Sequence, residues 1–230
     1  MEHGFSWIGT IPGLRDLPIH SVTATLVAIL VLVVAWAARH ALATAEEPLV
    51  PDGRPSAREL FEVITVLVND MAEGMIGHDG RQYVPLLATM FTFILFANLI
   101  GLLPGFTPPT GNIGTTLGLG IVSFLAYNYY GFREHGVSYL KHFAGPVIWL
   151  APLMAVVEVL SHVFRPVSLA IRLFGNMFAD HLVLGIFTDL TKVVIPIAFY
   201  TLGAFVCVLQ AFVFTVLSMV YIALAVGHDH

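Results

Sequence analysis

The chain has 230 residues, with ten Lys and Arg against fifteen Asp and Glu, a formal net charge of −5. Hydrophobic residues make up 57% and charged residues only 11%, and mean hydropathy is +0.86. About a quarter of a soluble domain is charged, so this composition excludes one and predicts an all-α polytopic membrane protein with no nucleic-acid partner. The single Cys207 lies inside an apolar run, which excludes a disulfide framework and marks it as a small core residue.

Residues 1–20 contain Glu2, Asp16 and only Arg15 on the basic side. They lack the basic region and short apolar core of a cleavable signal, so a retained periplasmic N-terminus is expected. Residues 21–43 form the first span, long enough to cross most of a ~30 Å hydrocarbon core, with Arg39 and His40 at its far end. The chain then turns polar, and Pro48, Pro51, Gly53 and Pro55 mark a linker. In residues 56–76, Ser56 with Glu59 makes a capping-box pattern. Leu60, Phe61, Ile64, Leu67, Val68, Met71 and Met75 then recur at helical spacing, which predicts an amphipathic helix on the membrane surface.

Residues 86–103 are the second span, ended by Pro104 and Gly105, and residues 113–130 the third. The last two apolar stretches, residues 146–179 and 193–226, each run to about 33 residues, or roughly 50 Å as helix against a ~30 Å core. Pro166 and Pro196 permit kinks, but a polar stripe keeps its phase across Pro166 and favours a long, steeply tilted helix. Basic residues beside the spans (Arg39, Arg54, Arg58, Arg81, Arg133, Lys141) outnumber Arg15 and Lys192 on the other side. The positive-inside rule makes the first side cytoplasmic.

Arg172 sits in the middle of an apolar segment, where an arginine costs roughly 2.5–3.5 kcal/mol on insertion scales, so it is read as functional. On a helical wheel Glu158, Arg165, Ser168, Arg172 and Asn176 fall within a sector of roughly 80°, with His162 and Asp180 about 40° beyond its edge. His181 lies opposite Arg172, at or past the expected helix end. Titratable groups thus stand on either side of a permanent cation, Glu158 about 21 Å along the helix from Arg172. An arginine does not relay protons by losing its own, but it attracts a carboxylate brought past it.

The run Arg172-Leu173-Phe174-Gly175-Asn176-Met177, preceded by Pro166-Val167-Ser168-Leu169 and followed by Leu209-Gln210-Ala211-Phe212-Val213-Phe214 and Tyr221, resembles the signature of the a subunit of rotary ATP synthases. The resemblance covers nearly the whole chain. It implies a non-catalytic, proton-translocating stator subunit of a bacterial inner membrane, without cofactors. Its implied partners are a ring of c subunits, b-type peripheral stalk subunits and the rest of the complex. It also implies that the two long helices lie nearly flat as a hairpin curving round the ring.

Residue by residue, Arg172 matches the family's essential arginine, and Asn176 and Gln210 match polar residues flanking it. Glu158 matches the acid of the cytoplasmic exit path, with Ser168 and Arg165 on the same face. The periplasmic path departs from one common pattern, in which a Glu and a His face each other across the two helices. Here those positions hold His181 and Gly203, with an extra acid, Asp180, where glycine is common. Asp180 and His181 are read as the relocated pair, Asp180 or water filling the room that Gly203 leaves.

His162 either lines the exit path or makes a hydrogen bond between helices. Asp189 and Lys192 read as loop charges, and the terminal His3, His228 and His230 do not form a metal-ligand set. Two rival functions are weaker. A stand-alone secondary transporter ordinarily shows internal repeats, and an intramembrane hydrolase needs a nucleophile with a base or a metal motif; neither pattern is found.

Overall fold

The computed structural model describes residues 18–44, 56–103, 105–136, 139, 151–190 and 194–227. Among them are six α-helices and no strand: α1 Ile19–Thr44, α2 Ala57–Ile76, α3 Val84–Leu99, α4 Ile113–His135, α5 Ala151–Leu190 and α6 Val194–Val226. Short 3-10 turns, His78–Tyr83 and Ile100–Leu102, extend α3 at both ends. The chain is an all-α polytopic membrane protein.

The start of α2 follows the capping pattern, with the Ser56 hydroxyl accepting the Glu59 N–H at 3.2 Å. It ends at Gly77, whose φ of 93° is a conformation that a β-carbon disfavours. The expected surface helix is more deeply engaged than its polarity implied. Ile64, Val68 and Ala72 are buried in the main core and α2 packs against α1, α3 and α6, while Leu60, Val63, Val66 and Leu67 stay exposed. One stripe keys the helix into the bundle and a second apolar stripe faces outward.

Among the described residues four stretches are long and apolar enough to cross a membrane: Ile19–Ala43, Asp79–Leu102, Val156–Thr188 and Ile197–Val226. The one expected span outside these four, residues 113–130, the third in chain order, is helical as α4. Thr115, Thr116, Ser123, Tyr127 and Asn128 lower its apolarity. In lipid such groups are tolerable where neighbouring helices satisfy them, and α4 turns them inward. Ser123 and Ser218 hydroxyls lie 2.8 Å apart, and Asn128 Oδ1 is 2.9 Å from His162 Nε2.

Helix α5 runs further at its far end than the apolar stretch predicted. Pro146, the expected start, lies outside the described residues, but the helix runs to Leu190, past the expected end at residue 179. The sequence from Leu182 to Phe187 stays apolar with no proline, so nothing in it breaks the helix. His181 is therefore a mid-helix residue, not one at or beyond an end. Pro166 sits inside the helix, and lacking an N–H it leaves the His162 carbonyl without its helical donor. Tyr127 Oη stands 3.5 Å from that carbonyl, the polar neighbour that a membrane proline requires.

Gly120 allows this approach of α4 to α5. A β-carbon there would stand 2.6 Å from the Pro166 carbonyl oxygen, whereas one at Gly118 would meet nothing within 4 Å. Gly120→Val should therefore destabilise the fold by about 1–3 kcal/mol, as overpacking does, and Gly118→Ala should be close to neutral. Melting temperatures of the two purified variants check this, and equal melting would contradict the close packing of α4 on α5 at Pro166.

Candidate functional site

On α5, Ser168, Arg172 and Asn176 are all exposed, whereas Leu169, Leu173 and Met177, each one residue further, are buried. This is the two-stripe pattern that a 3.6-residue period gives. Along its own stripe Arg172 has the exposed Ser168 and Asn176 one turn to either side, while Phe164, Ile171 and Phe178 on α5, and Phe205, Val208 and Phe212 on the adjoining α6, are large exposed hydrophobics. No carboxylate of the described residues lies within ion-pair distance of Arg172. Gln210, which the family pattern groups with Asn176, is instead only 4% exposed on the inner side of α6.

Towards the start of α5 the polar groups come together. Arg165 Nη2 lies 3.7 Å from Glu158 Oε1, and its guanidinium sits 5.5 Å from the centre of the Tyr221 ring. A cation over an aromatic face is held by the ring quadrupole, so Glu158, Arg165 and Tyr221 form one unit across α5 and α6. His162 turns the other way, into the bundle, where it is buried and bonded to Asn128. Of its two expected roles, the structure shows the interhelical hydrogen bond.

At the other end, Asp180 faces α6. A β-carbon at the buried Gly203 would stand 2.8 Å from Asp180 Oδ2 and 3.1 Å from Leu102 Cδ2, so the carboxylate occupies the room the glycine leaves. His181 diverges from it. Its Nε2 lies 2.7 Å from where a β-carbon of Gly101 would be, a spot that Pro108 also crowds. Neighbouring residues on a helix point about 100° apart, and here each finds its own glycine. Among the described residues no group of three or more His, Cys, Asp or Glu could hold a metal ion.

A buried network beside this end escaped the reading of the sequence. Thr110 Oγ1 donates to Asn98 Oδ1 at 2.7 Å, and Asn98 Nδ2 donates to the Cys207 carbonyl at 3.3 Å. Asn98 is 1% exposed and Thr110 fully buried. Asn98 precedes Gly101 by one turn and Cys207 follows Gly203 by one turn, which sets the network against Asp180 and His181. The available signal was Asn98 itself, an amide in the apolar run Phe96-Ala97-Asn98-Leu99-Ile100, costly in a span without partners.

The contact of Asp180 with Gly203 is testable by packing alone. Gly203→Leu should destabilise the protein by about 1–3 kcal/mol, and Asp180→Gly in that background should recover part of the loss, a coupling of about 0.5–3 kcal/mol between touching residues. The cycle is read from melting temperatures of the four proteins. Additive effects would mean that the carboxylate does not fill the space at Gly203.

The sequence profile described as ATP synthase A chain matches residues 21–223. Over 227 residues the chain is 47% identical to ATP synthase subunit a of Bdellovibrio bacteriovorus, covering 98% of this chain and 99% of that one. It is 44% identical over 204 residues to ATP synthase subunit a of Trichlorobacter lovleyi, covering 89% and 85%, and 42% identical over 189 residues to that of Geobacter sulfurreducens, covering 82% and 81%. A family match across most of the chain, with relatives of this identity over nearly full length, makes the chain a member of the ATP synthase A chain family.

Proposed function

We propose that the chain is the stator subunit through which protons cross a bacterial inner membrane to drive a rotary ATP synthase. In this reading Arg172 separates two half-channels that do not meet. Asp180 and His181 serve the periplasmic one, beside Gly203, while Glu158 with Arg165 and Ser168 serves the cytoplasmic one. The observation that carries the proposal is Arg172 itself, an exposed permanent cation on a long apolar helix, with titratable groups along the same helix on both sides of it.

The chemistry follows from what such a cation attracts. A ring of c subunits would carry carboxylates past Arg172, each ionised only near the guanidinium. An ionised carboxylate facing lipid is expensive, so a ring site leaves Arg172 readily only after taking a proton from the Asp180 side. It returns to Arg172 after losing that proton towards Glu158. Arg172 does not carry the proton, since a guanidinium does not give up its own, and its charge opposes a direct leak between the two paths. Each charge crossing 100 mV releases about 2.3 kcal/mol, so several are summed for each ATP. In this reading α1, α3, α4, α5 and α6 cross the membrane and α2 lies at the cytoplasmic surface. The b-type stalk would hold the subunit against rotation.

A stand-alone transporter would need no ring, and co-purification with a ring of small carboxylate-bearing subunits separates the two readings. Arg172→Lys should abolish ATP-driven proton pumping in inverted vesicles while the complex still assembles, because a compact ammonium does not reproduce a planar, permanently charged fork. Normal pumping by this variant would sink the proposal. Asp180→Asn should shift the dependence of the rate on periplasmic pH, and Glu158→Gln its dependence on cytoplasmic pH. Sensitivity of both variants to the pH of one side only would contradict the assignment of the two paths.

A further inference from the structure

His162 occupies a position that invites a role in proton transfer, one turn from Glu158 and nearly one turn from Arg165 on α5. Several groups that face it lie on α4 and the elements beside it. Asn128 and Tyr127 come from α4, with Phe124 one turn earlier; Tyr139 comes from the segment after α4; the Tyr221 ring on α6 lies tilted against Tyr127 at 5.9 Å. The ring of His162 is met edge-to-face by Phe124 and Tyr127, with centroids at 5.4 and 5.0 Å.

The hydrogen-bond directions can be worked out from Asn128. Its Nδ2 donates to the Phe124 carbonyl at 2.7 Å, which turns its Oδ1 towards His162 Nε2 at 2.9 Å and Tyr139 Oη at 3.4 Å. An amide oxygen only accepts, so Nε2 carries the hydrogen. A histidine that relays protons takes one at one ring nitrogen and gives one from the other. Here the Nε2 proton faces an amide oxygen that has no basicity to receive it, and the aromatic cage holds the ring in place.

From this geometry we infer that His162 is a positioning residue and not a proton carrier. With Asn128 it forms a clasp between α4 and α5 that fixes the orientation of the Glu158–Arg165 pair, and so the shape of the cytoplasmic path. The clasp sits where α5 most needs one. Pro166 has removed the donor of the His162 carbonyl, and Tyr127 Oη stands at 3.5 Å from that oxygen, so side chain and backbone of the same residue are both held by α4. The inference rests on the proposed pumping role for its functional consequence, and on the contacts alone for the clasp.

The test uses the complete ATP synthase in inverted vesicles, with ATP-driven pumping measured against cytoplasmic pH and the melting of the purified complex measured beside it. His162→Leu and Asn128→Leu should each lower the rate about three- to ten-fold, the factor that an interhelical hydrogen bond in a membrane is worth. The double variant should be no slower than the worse single one. His162→Gln, whose Nε2 stands the same number of bonds from the backbone and does not titrate, should recover most of the rate with an unchanged pH profile.

A Gln variant as slow as the Leu variant, or with a displaced cytoplasmic pH profile, would overturn the inference and make His162 a proton carrier. Additive losses, or a Leu variant that pumps normally, would also overturn it. If the Leu variants do not assemble, the Gln variant alone decides in the same way. Arg172→Lys in the same vesicles tests the pumping role separately: normal pumping there would remove that role, and the clasp would still stand or fall on the melting cycle.

Discussion

A guanidinium on an apolar surface, with no carboxylate from the described residues to pair with it, is the constraint from which the rest of the structure follows. Arg165 and Arg172 lie two turns apart on one stripe of α5, yet their situations are opposite. Arg165 has Glu158 at 3.7 Å and the Tyr221 ring at 5.5 Å, so its charge is answered within the chain. Arg172 has neither, and the residues one turn to either side of it, Ser168 and Asn176, are uncharged. A cation so placed in lipid is costly, and under the proposed function a carboxylate from outside the chain would offset that cost.

Keeping Arg172 unanswered requires the chain's own acids and amides to be occupied elsewhere, and the structure shows how. Asp180 turns into the space at Gly203, Asn98 is bonded to Thr110 and the Cys207 carbonyl, and Asn128 is bonded to His162. Small residues make these arrangements possible. Gly101, Gly120 and Gly203 each leave room that a β-carbon would fill, opposite His181, the Pro166 carbonyl and Asp180 respectively. Close approach at small residues is how membrane helices associate where the hydrophobic effect gives no help, and here it also makes places for polar groups inside the bundle.

Much of this was legible in the sequence because it depends on period alone. The helices α1, α2 and α6 lie within a few residues of the apolar stretches that predicted them, and the alternation of Ser168, Arg172 and Asn176 with Leu169, Leu173 and Met177 needs only 3.6 residues per turn. The filling of the Gly203 space by Asp180 was legible too, since a missing side chain and an extra acid stood at facing positions. The Asn98–Thr110–Cys207 network was not, because its members come from three separate elements and one partner is a backbone carbonyl that no side-chain pattern marks. The end of α5 was misjudged for a different reason. The polar pair Asp180-His181 looked like a boundary, whereas inward packing against Gly203 and Gly101 satisfies it within the helix.

The length of α5 has a geometric consequence for how two water paths can avoid each other. Its apolar part, Val156–Thr188, spans 33 residues, or about 50 Å of helix, against a hydrocarbon core of about 30 Å. Fitting the one into the other takes a tilt of roughly 50°, far beyond the ~20° of an ordinary span. Glu158 and Asp180 are separated by about 33 Å along the axis. At that tilt the separation becomes about 20 Å in depth and about 25 Å sideways. An upright helix would stack both acids on one vertical line through Arg172, where a continuous file of water is the shortest route between them. The tilted one sets them on different vertical lines, each a short distance from its own membrane surface. Under the proposed function, a tilt forced by helix length would supply the lateral offset between the two paths that Arg172 would keep apart.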